Sequence, residues 1–190
     1  MSRRETAAGK GCMVQEEDMK RILIFGNSGA GKTTLALKLG ETLGMPVFHL
    51  DQLWWLSGWE HDSRENFDRK LAEILKRECW IIDGEYTRTL PERLKFADTA
   101  IYLDFSSIRC FRRVLKRIFT WYGRSRPDMP SGCPERLDWA FLCYVWNFRR
   151  RFRPVIEEAL NDFHGNVIRL KTPGEAERFL RDAIEKVPGR

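Results

Sequence analysis

The chain has 190 residues, 43% hydrophobic and 32% charged, a length and balance that suit one globular domain and exclude extended disorder away from the ends. No run of about 18 uncharged apolar residues occurs, which excludes a membrane-spanning helix. The net charge of +6 is concentrated in Arg109, Arg112, Arg113, Lys116, Arg117, Arg124 and Arg126, a segment without an acidic residue that would attract nucleotide phosphates or a nucleic-acid backbone.

Arg3, Arg4, Glu5, Lys10 and the Glu16-Glu17-Asp18 run interrupt any signal-peptide core, so a cytoplasmic setting is expected. The five cysteines, Cys12, Cys79, Cys110, Cys133 and Cys143, form no CxxC pair, and reduced, mostly buried thiols are expected. Residues 1–18 show no apolar periodicity and read as a flexible extension, leaving residues 19–190 as a single domain.

From Lys20 onward, short apolar runs alternate with amphipathic stretches, the pattern of strands and crossover helices around a parallel sheet in an α/β fold. Strands are expected at Arg21–Phe25, Val47–Leu50, Trp80–Ile82, Ala100–Leu103 and Asn166–Leu170. The first helix runs from Lys32 to Leu43, with Leu35, Leu39 and Leu43 on one face and Gly44 and Pro46 as its stop. A second follows Ser63 to Arg77 with Phe67, Leu71, Ile74 and Leu75 inward, and a third spans Ser107–Trp121. Leu137–Leu160 is largely helical, with Pro154 expected to end or kink it near Arg153. A last helix opens at Pro173-Gly174 and closes at Pro188, while three prolines and two glycines mark a loop from Gly123 to Glu135.

Gly26-Asn27-Ser28-Gly29-Ala30-Gly31-Lys32-Thr33 fits G-x-x-x-x-G-K-[ST] and lies between a strand and a helix, the context in which this motif cradles phosphates. Its glycines let successive N–H groups face phosphate oxygens at a helix N-terminus, with Thr34 continuing the site. Lys32 is placed to reach the β- and γ-phosphates of ATP and Thr33 to ligate Mg²⁺. Asp83, at the end of Trp80-Ile81-Ile82-Asp83-Gly84, reaches the same crevice and is the second candidate for Mg²⁺, through water. Asp51 ends the second strand in the same way. It is either a binder or proton acceptor for the phosphate acceptor or an N-cap for the following turn, while His49 is expected to be a packed strand residue. Trp54, Trp55 and Trp59 either plug the core, the safer expectation, or wall a planar acceptor. The aromatic segment from Trp139 to Phe148, apolar on most faces, is expected to be buried or to pair with another subunit, leaving a monomer or a homodimer.

The basic segment leads into the long loop, which carries Arg124, Arg126 and Arg136 and reads as a lid over about residues 123–136 that brings positive charge to the γ-phosphate. With this loop in view, the chain resembles the adenylate-kinase-related family of DNA topology modulation (FlaR-like) proteins over about residues 20–185. The resemblance rests on Gly26–Thr33, His49-Leu50-Asp51-Gln52-Leu53 with Trp55 and Gly58-Trp59, and Trp80–Gly84 with Tyr86. It extends through Ala97-Asp98, Leu103-Asp104-Phe105, Arg124-x-Arg126-Pro127-Asp128 and Gly132-Cys133-x-Glu135-Arg136. More distantly it is similar to nucleoside monophosphate kinases. That likeness implies a P-loop NTPase fold with strand order 2-3-1-4-5, a lid, Arg113 on adenine, Arg117 on phosphates, and a turn over adenine at Leu170–Gly174. The Pro-Arg pair expected after Asp83-Gly84 is absent. Arg88 or Arg93 stands as its substitute.

These readings predict an ATP- and Mg²⁺-dependent phosphotransferase acting on an unidentified small-molecule acceptor, with a nucleotide among the candidates. The alternative is an ATP-binding regulator that associates with DNA and has no small acceptor.

Overall fold

A computed structural model describes residues 19–126 and 129–185. The expected extension over residues 1–18, the stop at Pro188 and the Pro127-Asp128 pair lie outside the described residues. Five strands, β1 (Arg21–Gly26), β2 (Val47–His49), β3 (Trp80–Asp83), β4 (Thr99–Leu103) and β5 (Asn166–Leu170), form one parallel sheet in the order β2-β3-β1-β4-β5. The order is the one the kinase resemblance implies.

Alternation along the strands assigns side chains to two cores. Ile22 and Ile24 of β1, Ile81 of β3, and Ile101 and Leu103 of β4 pack with α1 (Lys32–Leu43) and α5 (Ser107–Trp121). Leu23 and Phe25, Trp80 and Ile82, and Ala100 and Tyr102 face α3 (Arg64–Leu75) and α4 (Leu90–Phe96) on the other side. Helix α6 (Trp139–Asn161) serves both cores, with Leu142 and Val145 in the first and Phe148, Ile156 and Leu160 in the second. Helix α7 (Pro173–Glu185) packs partly buried Phe179 and Leu180 on the first core.

The helix ends follow local chemistry. Gly44 closes α1 at φ 65°, and the side chain of Ser63 accepts a hydrogen bond from the Asn66 N–H at 3.1 Å. Asp98, part of the motif set, accepts from the backbone N–H groups of Lys20 and Arg21 at 2.9 and 2.7 Å and so fixes the start of β1.

Three boundaries differ from expectation. Leu50 opens a short helix, α2 (Leu50–Trp54), where its fully buried side chain packs in the second core. Helix α4 carries only Leu90 and Leu94 as buried apolar residues, too short a repeat to stand out in sequence. Pro154 does not end α6, which continues to Asn161. Pro154 and Arg150 are both exposed, so the carbonyl that loses its N–H partner faces water. The aromatic stretch is not buried all round either: Trp139 is 71% and Trp146 51% exposed, while Leu142, Val145 and Phe148 are inside. Cys110 and Cys133 are buried, Cys79 is half-buried and Cys143 exposed, and all four are free thiols. No helix among the described residues is long and apolar enough to cross a membrane.

Candidate active site

The turn from β1 into α1 is built so tightly that only glycine fits at two of its positions. Gly26 has φ 136°, and a Cβ there would lie 2.5 Å from the Leu103 carbonyl oxygen. At Gly29 (φ 80°) it would lie 2.6 Å from the Cys110 carbonyl oxygen. Ala30 and Asn27 are buried, and Asn27 Nδ2 donates to the Val145 carbonyl of α6 at 2.9 Å. Lys32 Nζ donates to the Gly26 and Asn27 carbonyls at 2.9 and 3.1 Å, which folds the ammonium over the loop. Ser28, Gly29, Gly31, Lys32, Thr33 and Thr34 line a cleft of about 640 Å³ at the carboxyl ends of the strands.

The two predicted metal residues meet in that cleft. Thr33 Oγ1 donates to Asp83 Oδ2 at 2.8 Å. A hydroxyl and a carboxylate beside a phosphate loop form the sparse, hard-oxygen set that suits Mg²⁺, which takes its remaining ligands from phosphates and water. The residues present therefore fit the ion. His49, expected only to pack, bonds through Nδ1 to Asp83 Oδ1 at 2.5 Å and lines the cleft. It orients the carboxylate from behind, a role that its place at the end of β2 gave no way to foresee.

A second cavity of about 490 Å³ adjoins the cleft, and the two share Ser28, Lys32, Asp51, Arg117 and Arg126. Asp51 is not a cap: no side-chain cap bond starts α2, and Asp51 Oδ1 instead accepts from the Tyr86 hydroxyl at 2.9 Å. Burial, followed by the charge of Asp51, pushes the Tyr86 phenol far above its ordinary range and keeps it a donor. Trp54, Trp55 and Trp59 line this cavity together with Phe141, Tyr144 and Phe152, and Trp54 also packs against the second core. Trp54 also rests on Phe67 and Tyr86 beneath it.

Glu85 was not singled out in the sequence, although it follows Asp83-Gly84 directly. Its Oε2 accepts from the Gly26 N–H at 3.3 Å, and its Oε1 is buried without a hydrogen-bond partner on the cavity wall. Desolvation pushes its carboxyl up to about 7, against the pull of Lys32 and Arg93.

The arginines divide. Arg113 donates to the Ala30 carbonyl at 3.1 Å and lies against Gly31, over the phosphate loop itself. Arg117 and Arg126 line both cavities and converge on the buried carboxylate of Glu135, at 3.0 and 2.7 Å to Oε1. Arg136 lines the second cavity with its guanidinium 5.8 Å from the Trp59 ring centroid. Arg124 is exposed and lines neither cavity. The described part of the expected lid is tied down. Gly58 N–H donates to the Gly132 carbonyl at 2.8 Å, Trp59 Nε1 to the Pro134 carbonyl at 2.9 Å, and Cys133 Sγ to the Leu56 carbonyl at 3.0 Å.

Neither candidate for the missing acceptor-phosphate arginine reaches the cavity. Arg88 makes a two-pronged pair with Asp68, at 3.0 and 2.6 Å, on the exposed side of α3. Arg93 is fully buried and donates to the carbonyls of Gly84, Glu85 and Tyr86 at 3.3, 2.7 and 3.0 Å. It braces the turn that presents Glu85 and Tyr86. Arg93 is thus sealed beneath the turn from α4, while Arg88 is held on the surface beside α3, away from the cavity.

No family model and no curated relative matches the chain. Among solved structures it is similar to shikimate kinase from Acinetobacter baumannii in complex with shikimate (17% identity, 88% of this chain and 92% of that one, TM-score 0.59). It is also similar to shikimate kinase from Bacteroides thetaiotaomicron (18%, 88% and 97%, 0.54) and to deoxyadenosine kinase from M. mycoides with bound dATP (16%, 85% and 97%, 0.52). The chain therefore has the five-stranded α/β fold of the P-loop kinases.

Proposed function

We propose that this protein is an ATP-dependent phosphotransferase that moves the γ-phosphoryl group of ATP to a hydroxyl of a small molecule. The observation that carries the reading is the junction of the two cavities. The phosphate loop opens at Lys32 and Asp51 onto a second, walled space lined by carboxylates and rings, which a simple ATPase would not need. Structural neighbours that are kinases by name, one of them solved with shikimate, support the same class of reaction.

In this reading, backbone N–H groups from Gly26 to Thr33 and the Lys32 ammonium hold the phosphates, with Arg113 over the loop. Thr33 and Asp83 would hold Mg²⁺, which would supply positive charge to the phosphate oxygens. Asp51 and Tyr86 fix the acceptor hydroxyl. Its oxygen bonds to the γ-phosphorus as the bond from that phosphorus to the β–γ bridging oxygen breaks, and ADP leaves with the electron pair. The hydroxyl proton passes to the Glu85 carboxylate, whose unpartnered oxygen lies on the same wall. Arg117, Arg126 and Arg136 stabilise the charge spread over the transferring oxygens. Arg124, outside both cavities, has no part in this scheme, and no geometric feature favours a DNA-associated regulator over it.

Lys32→Ala tests the assignment. ATP binding, read with a fluorescent ATP analogue, and ADP release should both fall by at least about 100-fold, the scale of losing a charge-assisted phosphate contact. Unchanged affinity and rate would refute it.

A further inference from the structure

The acceptor cavity carries more information than its position. Of the four acidic residues on its wall, Glu135 is paired with Arg117 and Arg126 and Asp138 caps α6, which leaves Asp51, shared with the nucleotide cleft, and Glu85, bonded to the Gly26 N–H, to meet the reacting group. An acceptor that reacts through its own phosphate would bring about −1.5 to −2 charge against them. The two arginines of the turn after β3 that could have offset this charge are committed elsewhere, Arg88 to Asp68 and Arg93 to three carbonyls. Arg117 and Arg126, paired with Glu135, and Arg136, beside Trp59, are in the proposed reaction already assigned to the transferring phosphoryl group. The reacting group is therefore an uncharged hydroxyl that donates to a carboxylate.

Beyond the junction the wall changes character. Trp55, Trp59, Tyr86, Phe141, Tyr144 and Phe152 give it partly buried rings on several sides. Trp55 meets Trp59 edge-on at 5.3 Å between centroids, and Phe141 stacks on Tyr144 at 6.2 Å. Among the described residues, the two non-glycine positions with positive φ are Trp59 (63°) and Tyr86 (27°), and both line this cavity. Such strained conformations gather at ligand sites. A ring-lined slot of this volume suits a flat heteroaromatic group, whose faces stack and whose polar edge can bond to the remaining polar residues.

Building on the phosphotransferase reading, we propose that the acceptor is a nucleoside: an unphosphorylated alcohol with a flat base among the rings of Trp55, Trp59 and Phe141 and its hydroxyl between Asp51 and Glu85.

The full chain is titrated with adenosine, guanosine, cytidine and thymidine, with their 5′-monophosphates, and with glucose, myo-inositol and choline. Tryptophan fluorescence reads binding, ADP release reads transfer, and a fluorescent ATP analogue reads the loop separately. At least one nucleoside should quench fluorescence and raise ADP release about tenfold or more over background, with its monophosphate at least about tenfold poorer in kcat/KM. Trp55→Ala should raise the KM for that nucleoside about tenfold, the scale of one lost base-aromatic stack, and Trp55→Phe should recover most of it. Stronger stimulation by a monophosphate, a polyol or choline would overturn the nucleoside assignment and leave phosphotransfer standing. Silence of the whole panel with the ATP analogue bound would overturn it too. Failure of wild-type protein to bind ATP would overturn the phosphotransferase reading itself.

Discussion

Substituting Arg93 with methionine removes a fully buried guanidinium while roughly keeping the volume of its stem. The carbonyls of Gly84, Glu85 and Tyr86 each lose a donor at once, and that of Tyr86 keeps the Thr89 N–H and hydroxyl. A hydrogen bond to a charged group is worth about 1.5–3 kcal/mol net, and a buried acceptor left unpaired costs about 1–3 kcal/mol. Methionine also removes the cost of burying the charge, whose extent shows in the Arg93 guanidinium being pulled down to about 10, chiefly by desolvation. The balance is a loss of about 2–5 kcal/mol, from two carbonyls left unpaired at about 1–3 kcal/mol each less the desolvation recovered. Because the same turn holds Tyr86 at φ 27°, its relaxation should also move the Tyr86 hydroxyl from Asp51 and weaken acceptor binding more than ATP binding. Urea unfolding followed by circular dichroism, with ATP affinity measured in parallel, checks both parts. Arg93→Lys keeps one donor and the charge, and should lose less, about 1–3 kcal/mol. A methionine variant within about 1 kcal/mol of wild type would refute the bracing role.

Three further outcomes follow from the site. Glu85 has its folded-state carboxyl at about 7 against an ordinary 4.5, so the native state holds its proton more tightly and stability should fall as pH rises from about 5 to about 7. Glu85→Gln should remove that slope and become more stable than wild type by up to about 3 kcal/mol at pH 8, at 1.36 kcal/mol per pH unit, while transferring phosphate at least about 100-fold more slowly; parallel urea midpoints across pH would contradict this. Glu135→Gln frees Arg117 and Arg126 from a shared anchor, and should lower kcat about 10- to 100-fold with little change in ATP affinity, as steady-state kinetics would show. Gly29→Ala sets a Cβ 2.6 Å from the Cys110 carbonyl oxygen at φ 80°, so analogue titration should find ATP affinity reduced at least about tenfold in a protein whose circular dichroism is unchanged.

The sheet was legible because each strand is a short apolar run bounded by turn residues, and the phosphate loop because its glycines and Lys32-Thr33 occupy fixed offsets between strand and helix. Asp83 could be singled out because it ends a strand on the crevice side, and Asp51 because it follows one closely, in the first turn of α2. What sequence could not show was which charged residues are already engaged. Arg93 and Arg88 look alike in a string of letters, yet one is sealed under a turn and the other pairs across the surface with Asp68, twenty residues earlier. Glu135 and His49 act through partners 18 and 34 positions away, distances at which no local pattern operates. The tryptophans of residues 54–59 were ambiguous because core and ligand wall demand the same side chains. Only the neighbouring space distinguishes them.

The bond from Asn27 to the Val145 carbonyl joins the phosphate loop to α6, and α6 also delivers Phe141, Tyr144 and Phe152 to the acceptor side. In the proposed phosphotransferase, donor and acceptor are thereby gauged against one helix instead of two adjustable loops. Spacing along the line of attack becomes a property of secondary structure, insensitive to which molecule is admitted. The ring positions on that helix can then be exchanged to admit other acceptors without retuning the nucleotide end, a division of labour that makes this scaffold a practical starting point for altering acceptor choice.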